Sequence, residues 1–121
     1  MGQDLSKRLK VLVVDDELFV RMMAIDVVSD AGHDPYEAGD ADEAVEMLEA
    51  EPYDVVFTDI KMPGSIDGLG LAALIHQRWP QTHVIVTSGH LTLPDLPQDT
   101  VFLQKPYRTA ALSERLHSIA G

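Results

Sequence analysis

The stretch KVLVVDDE, residues 10–17, decides the fold. Residues 10–14 are an apolar, β-branched run, the composition of a strand buried on both faces. Burial on both faces belongs to parallel sheets covered by helices. The run stops abruptly at Asp15, Asp16 and Glu17. The same pattern recurs downstream. YDVVFT, residues 53–58, runs into Asp59; HVIVT, residues 83–87, ends on Thr87; VFLQ, residues 101–104, leads into Lys105. Residues 35–38 add a short, weak strand.

Helical patterns lie between these strands. Residues 18–31 read as a long apolar helix closed by Gly32. Residues 40–51 carry Ala44, Val45 and Leu48 at helical spacing, with Asp40 or Asp42 as N-cap and Pro52 as the stop. Residues 62–68 are turn-rich. Residues 69–79 are helical up to Pro80, and residues 108–119 set Leu112, Leu116 and Ile119 on one face. Strand and helix thus alternate five times, which predicts a parallel sheet with helices on both faces. The expectation is one α/β domain over residues 1–121, without linker, internal repeat or output domain.

Composition narrows the function. The 121 residues are 45% apolar and 24% charged, ordinary for a soluble domain. There is no cysteine, which excludes disulfides, thiolate metal sites and a thiol nucleophile. Nine basic residues against twenty acidic ones give a net charge of −11. That surface repels phosphate backbones, so no nucleic-acid partner is expected. No signal peptide or membrane-spanning run is visible, and a cytoplasmic location is expected. The five histidines, 33, 76, 83, 90 and 117, show no ligand spacing and read as core or surface residues.

In an open parallel sheet the loops at the carboxyl ends of the strands form the ligand crevice. Neighbouring strands lie about 4.8 Å apart, so Asp15, Asp16, Asp59, Thr87 and Lys105 can converge there. Two carboxylates about 4 Å apart repel by roughly 4 kcal/mol at an effective dielectric near 20. Three of them call for a cation, and oxygen ligands with retained waters suit Mg²⁺. A carboxylate so placed can act as a nucleophile and form an aspartyl-phosphate, with Lys105 and a hydroxyl stabilising the transferred charge.

Four motifs in register carry a resemblance: VVDDE (13–17), TDIKMPGSIDG (58–68), VTSG (86–89) and FLQKP (102–106). In this order and spacing the chain resembles the receiver domains of response regulators over nearly its whole length. The resemblance implies a flavodoxin-like (βα)5 doubly wound sheet with strand order 2-1-3-4-5. Asp59 then looks like the phosphoacceptor. Asp16 resembles a direct Mg²⁺ ligand, Asp15 one acting through a metal-bound water, and Lys61 a residue lending its backbone carbonyl. Thr87 resembles the hydroxyl that contacts the phosphoryl group, with Ser88 as its rival. Lys105 resembles the site lysine, joined to Pro106 through a cis peptide, and Phe102 occupies the place of a switch aromatic.

The implied phosphoryl donor is a sensor histidine kinase or a histidine phosphotransfer protein. Such a domain catalyses its own phosphorylation and dephosphorylation, with output through a downstream protein target or as a phosphate sink. Two other readings stand beside it. One is a receiver-like interaction module that is never phosphorylated. The other is a Mg²⁺-dependent phosphatase of the haloacid-dehalogenase type, which wants an acid two residues after its nucleophile. Asp59 is followed by Ile60 and Lys61, a poor fit.

The chain departs from the receiver pattern in three places. Three residues, GSI, separate Pro63 from Asp67 where two are usual, so a longer loop is expected, turned by Gly64. Residues 88–100, SGHLTLPDLPQDT, hold Pro94 and Pro97 where a helix is usual. A proline inside a helix costs about 3 kcal/mol, so the fourth helix is expected to be shortened, displaced or disordered. The usual dimer face is thereby put in question. In the first helix, Val20, Met23, Val27 and Ala31 form a stripe sufficient for packing, while Leu18, Phe19, Met22 and Ile25 extend the apolar surface past it. Phe19 and Met22 are expected to help dock the helical bundle that carries the donor histidine. Gly89, two residues after Thr87, offers no side-chain cover to the phosphoryl site.

Overall fold

In a computed structural model that describes residues 7–89, 95–97 and 99–121, the chain runs β1 (Lys10–Val14), α1 (Leu18–Asp30), β2 (Asp34–Ala38), α2 (Ala41–Ala50), β3 (Val55–Asp59), α3 (Gly68–Arg78), β4 (His83–Ser88), β5 (Thr100–Gln104) and α4 (Thr109–Ala120). The strands form one parallel sheet in the order β2-β1-β3-β4-β5. The chain steps outward from β1 to β2, then reverses past β1 to β3. Parallel crossovers are right-handed, so the reversal sends the connecting helices to opposite faces. α1 and α4 cover one face; α2 and α3 cover the other.

Side chains alternate across each strand and so feed two cores. Leu12, Val14, Val56, Val84 and Val86 pack under α2 and α3 with Leu48, Leu71 and Ile75. Val11, Val13, Val55, Phe57 and Ile85 pack under α1 and α4 with Val28, Leu112 and Leu116. Leu112 and Leu116 are fully buried; truncating either to alanine is worth about 2–5 kcal/mol. β5 is an edge strand, and its residues are only half-buried apart from exposed Gln104.

Local signals set the helix starts. Asp40, not Asp42, caps α2, accepting from the Glu43 N–H at 2.8 Å. Asp67 caps α3, accepting from the Gly70 N–H at 2.9 Å. The longer loop before α3 turns at Gly64 as expected, with φ +117°. Ser65 then ties that loop to α2, its hydroxyl donating to the Asp42 carboxylate.

The packing stripe of α1 differs from the expected one. Ala24 and Val28 are the buried residues, and Met23 is 66% exposed. The helix is turned by about one residue, or about 100°. α1 is apolar nearly all round, so periodicity did not fix its rotation. Ala24 and Val28 join the buried cluster, while Ile25 and Val27 pack at its margin. Leu18, Phe19 and Met22 are exposed. Of the stretch expected to hold a reduced fourth helix, residues 95–97 and Asp99 are not helical; residues 90–94 and Gln98 lie outside the described residues.

Candidate functional site

The strand alternation that builds the α1–α4 core also builds the site. Asp15 continues the row of Val11 and Val13, and Asp59 the row of Val55 and Phe57. Thr87 follows Ile85, and Lys105 follows Val101 and Leu103. Four polar groups therefore occupy the next places in four apolar rows, at the carboxyl rim of the sheet. β1 and β3 are neighbours at the point where the strand order reverses, which is where ligands bind in such sheets.

The geometry is close. Lys105 Nζ donates to Asp59 Oδ2 at 3.1 Å. The backbone N–H of Lys61 reaches Asp59 Oδ1 at 3.4 Å. Asp59 pairs in register with Thr87, and the Ile60 N–H donates to the Thr87 carbonyl at 2.9 Å. Asp15, Asp16 and Asp59 each offer a carboxylate oxygen within 4.8 Å of the other two. Asp15 is buried, Asp59 half-buried and Asp16 exposed. Lys105 is anchored through its own N–H, which donates to the Ser88 carbonyl at 2.8 Å, and the Lys105–Pro106 peptide is cis.

Three carboxylates against one ammonium leave the site short of positive charge, and Asp15 registers this. Burial pushes its carboxyl above the usual range, the Glu17 N–H donating to Oδ1 at 2.9 Å opposes the rise, Asp59 adds to it, Lys105 offsets part, and Asp16 adds a little more. Oxygens bound to one Mg²⁺ at about 2.1 Å stand at most about 4.2 Å apart. The acids thus need only small side-chain movements to share such an ion, and hard oxygen donors are its preferred chemistry. A buried orphan completes the fit: Thr87 Oγ1 has no hydrogen-bond partner among the described residues. Buried hydroxyls are normally satisfied, so one left over beside Asp59 marks a place for an incoming acceptor or donor.

Phe102 stands on β5 opposite Val86, half-buried against the α2–α3 core. Ser88, the rival to Thr87, is buried at the end of β4 and opposite Gln104 in register. His33 is a core residue whose Nδ1 accepts from the Leu9 N–H at 3.0 Å.

Three residues near the site escaped the sequence reading. Tyr107 packs edge-on against Phe57 at 5.6 Å, and burial followed by the charges of Asp15 and Asp59 pushes its phenol up. Its odd spacing after Val101, Leu103 and Lys105 was the available signal. Gly68 abuts the site from α3: a Cβ there would lie 1.9 Å from the Asp59 carbonyl oxygen. Arg21 reaches from α1 to the Asp15 carbonyl. No local pattern announces either contact.

The chain matches the response regulator receiver domain model over residues 11–117. It is 39% identical over 87 residues to an NtrX-like response regulator of Rickettsia felis, an alignment covering 71% of this chain and 18% of that protein. The chain thus spans under a fifth of the length of that relative. Among solved structures, the chemotaxis response regulator CheY4 of Vibrio cholerae superposes with a TM-score of 0.80 at 25% identity, over 93% of this chain and 99% of that one. The receiver domain of NtrX from Brucella abortus gives 0.81 at 29% identity, over 91% and 97%. No helix among the described residues is long and apolar enough to cross a membrane.

Proposed function

The chain belongs to the response regulator receiver domain family, and from that membership we propose that it takes a phosphoryl group onto Asp59 from a phosphohistidine and holds it as a signal. The observation that carries the reading is the contact of Asp59 with Lys105 at 3.1 Å inside the Asp15–Asp16–Asp59 cluster. An Asp59 carboxylate oxygen forms the new P–O bond as the P–N bond of the donor breaks, and the electron pair stays on the departing imidazole nitrogen. Lys105 turns its ammonium from the carboxylate to a phosphoryl oxygen, and the Thr87 hydroxyl donates to another. Water later cleaves the acyl phosphate at phosphorus, returning phosphate and the free carboxylate.

Mg²⁺, when bound, offsets the negative charge that gathers on the transferring phosphoryl oxygens. Asp16, Asp59 and the Lys61 backbone carbonyl would hold it directly, with Asp15 acting through a bound water. Phe102 is assigned the switch that follows Thr87. Output runs through a partner protein or by draining phosphoryl groups from another regulator.

The donor is a sensor histidine kinase or a histidine phosphotransfer protein. A groove of about 1030 Å³ between α1 and α4, lined by Val20, Met23, Val27 and Ala110, leads directly to Lys105 and Gly89. Beside it, Phe19 and Met22 are exposed. Asp26 and Asp30 line the same groove, and no basic residue sits in the last turn of α1. A donor helix with apolar residues flanked by basic ones fits this surface.

The test is intact-mass measurement after treatment with acetyl phosphate and Mg²⁺. Wild type should gain one phosphoryl group and Asp59→Asn none. An equal gain by the variant would place the chemistry elsewhere.

A further inference from the structure

Asp16 is assigned as a direct cation ligand, yet among the described residues its side chain makes no hydrogen bond or ion pair, and it is exposed. Its carboxylate can only inherit its placement from the backbone. That backbone is held tightly at Asp15. The Asp15 N–H donates to the Ala38 carbonyl at 3.2 Å, and the Asp15 side chain accepts from the Glu17 N–H at 2.9 Å. The remaining group, the Asp15 carbonyl, belongs to the peptide that joins the two acids. Arg21 Nη1 donates to it at 2.7 Å.

Arg21 is itself seated. Its Nε donates to Glu37 Oε1 on β2 at 2.7 Å, and its side chain is only 16% exposed. The guanidinium fork is rigid and planar, so fixing one edge on Glu37 fixes the direction of the other. Glu37 also neutralises the charge of Arg21, so the contact works through direction more than through an added positive field.

We propose that Arg21, seated by Glu37, is a positioning residue for cation binding: it sets the plane of the Asp15–Asp16 peptide and thereby aims the Asp16 carboxylate. The proposal rests on the reading of the acid cluster as the Mg²⁺ site. Groups that orient metal ligands from behind typically change affinity by about 10- to 100-fold when removed. Arg21→Gln should raise the Mg²⁺ Kd about tenfold, and Glu37→Gln by a smaller factor. Arg21→Lys, which keeps the charge but loses the fork, should recover only part of the affinity.

Mg²⁺ titration by calorimetry on the full chain reads these values, and metal-free melting curves run beside it. The decisive arm is the double variant. If Arg21 acts through Asp16, then Arg21→Gln added to Asp16→Asn changes the Kd no further. Additive losses would overturn the proposal. So would full affinity in Arg21→Gln, or full recovery by lysine. Should Arg21→Gln fail to fold, Glu37→Gln at a half-exposed position carries the same test, and an unchanged Kd there overturns the clamp. A wild-type chain that binds no Mg²⁺ would instead sink the reading of the cluster itself.

Discussion

The two rims of the sheet handle charge in opposite ways. At the amino-terminal rim acids and cations are matched: Lys7 meets Asp54 at 2.8 Å, Arg8 meets Asp34 at 2.7 Å, and Lys10 meets Glu51 at 2.7 Å. Lys10 also lies over the rings of Tyr53 and Tyr36, at 4.7 and 5.1 Å. At the carboxyl rim three carboxylates share one ammonium. The carboxyl groups respond accordingly. Burial works to raise Asp54, but the Lys7 side chain and the Lys10 N–H outweigh it and hold that carboxyl below its usual range. Burial raises Asp15, and the Glu17 N–H and Lys105 offset it only in part. At neutral pH the charge of Asp54 favours the folded chain, and that of Asp15 works against it. That contrast is expected where binding or chemistry, not stability, dictates the residues.

The comparison can be broken by variants at each rim. The largest effect should come from Gly68→Ala. Its Cβ would meet the Asp59 carbonyl oxygen at 1.9 Å and the Ile60 Cα at 2.8 Å, both backbone, so α3 or β3 must shift. A loss of about 3 kcal/mol is expected, the upper end for overpacking, with Mg²⁺ affinity falling alongside. Denaturant unfolding measures the first. A near-neutral result would mean that α3 is not packed against Asp59 as described.

Next comes the cation itself. Mg²⁺ at about 100 times its Kd should stabilise the fold by roughly 2.7 kcal/mol, since only the assembled cluster binds it. An unmoved melting temperature in saturating Mg²⁺ would leave the acid-rich rim without its counter-ion.

A smaller effect is expected at the opposite rim. Asp54→Asn should cost about 1 kcal/mol, because the lost contacts are few and partly solvent-screened. Phosphoryl uptake should be unchanged. The pH dependence has a definite sign. A carboxyl held below its unfolded value stabilises the fold above that value, and the contribution disappears as pH falls through the lower, folded one. Wild type should therefore lose stability below the ordinary carboxylate range more steeply than Asp54→Asn. Parallel acid limbs would refute the assignment.

The smallest effect, with the opposite sign, belongs to Asp15→Asn. A carboxyl raised in the folded state disfavours folding at neutral pH, so removing its charge should raise the melting temperature of the metal-free protein. The gain should be less than the stabilisation Mg²⁺ gives wild type. Destabilisation would show that the Glu17 N–H bond outweighs the burial of charge.

Much of this was legible because strands buried on both faces leave little ambiguity. KVLVV and HVIVT can hardly be surface elements, and the polar residue at the end of each run must lie at a sheet rim. The acids, Thr87 and Lys105 were found that way. The rotation of α1 was not, because a helix with Leu18, Phe19, Val20, Met22, Met23 and Ile25 offers several apolar stripes. Only contact with the sheet selects Ala24 and Val28. Arg21 and Gly68 were missed for a related reason: what they touch lies in a different element. The strand expected from Tyr53 starts two residues later for a related reason. Asp54 is drawn to Lys7 and Lys10, so β3 begins at Val55 instead.

The register between β3 and β4 has one more consequence. Asp59 faces Thr87 across that pair, and both project on the side of the sheet that carries α1 and α4. A pairing slipped by one place would turn the shifted strand's whole row to the far side. The hydroxyl would then face one layer of helices and the carboxylate the other. If phosphoryl transfer runs through Asp59 and Thr87 as proposed, such a misassembled chain would be chemically mute as well as poorly packed, and competence to carry a phosphoryl group would double as a proofreading mark for correct strand alignment.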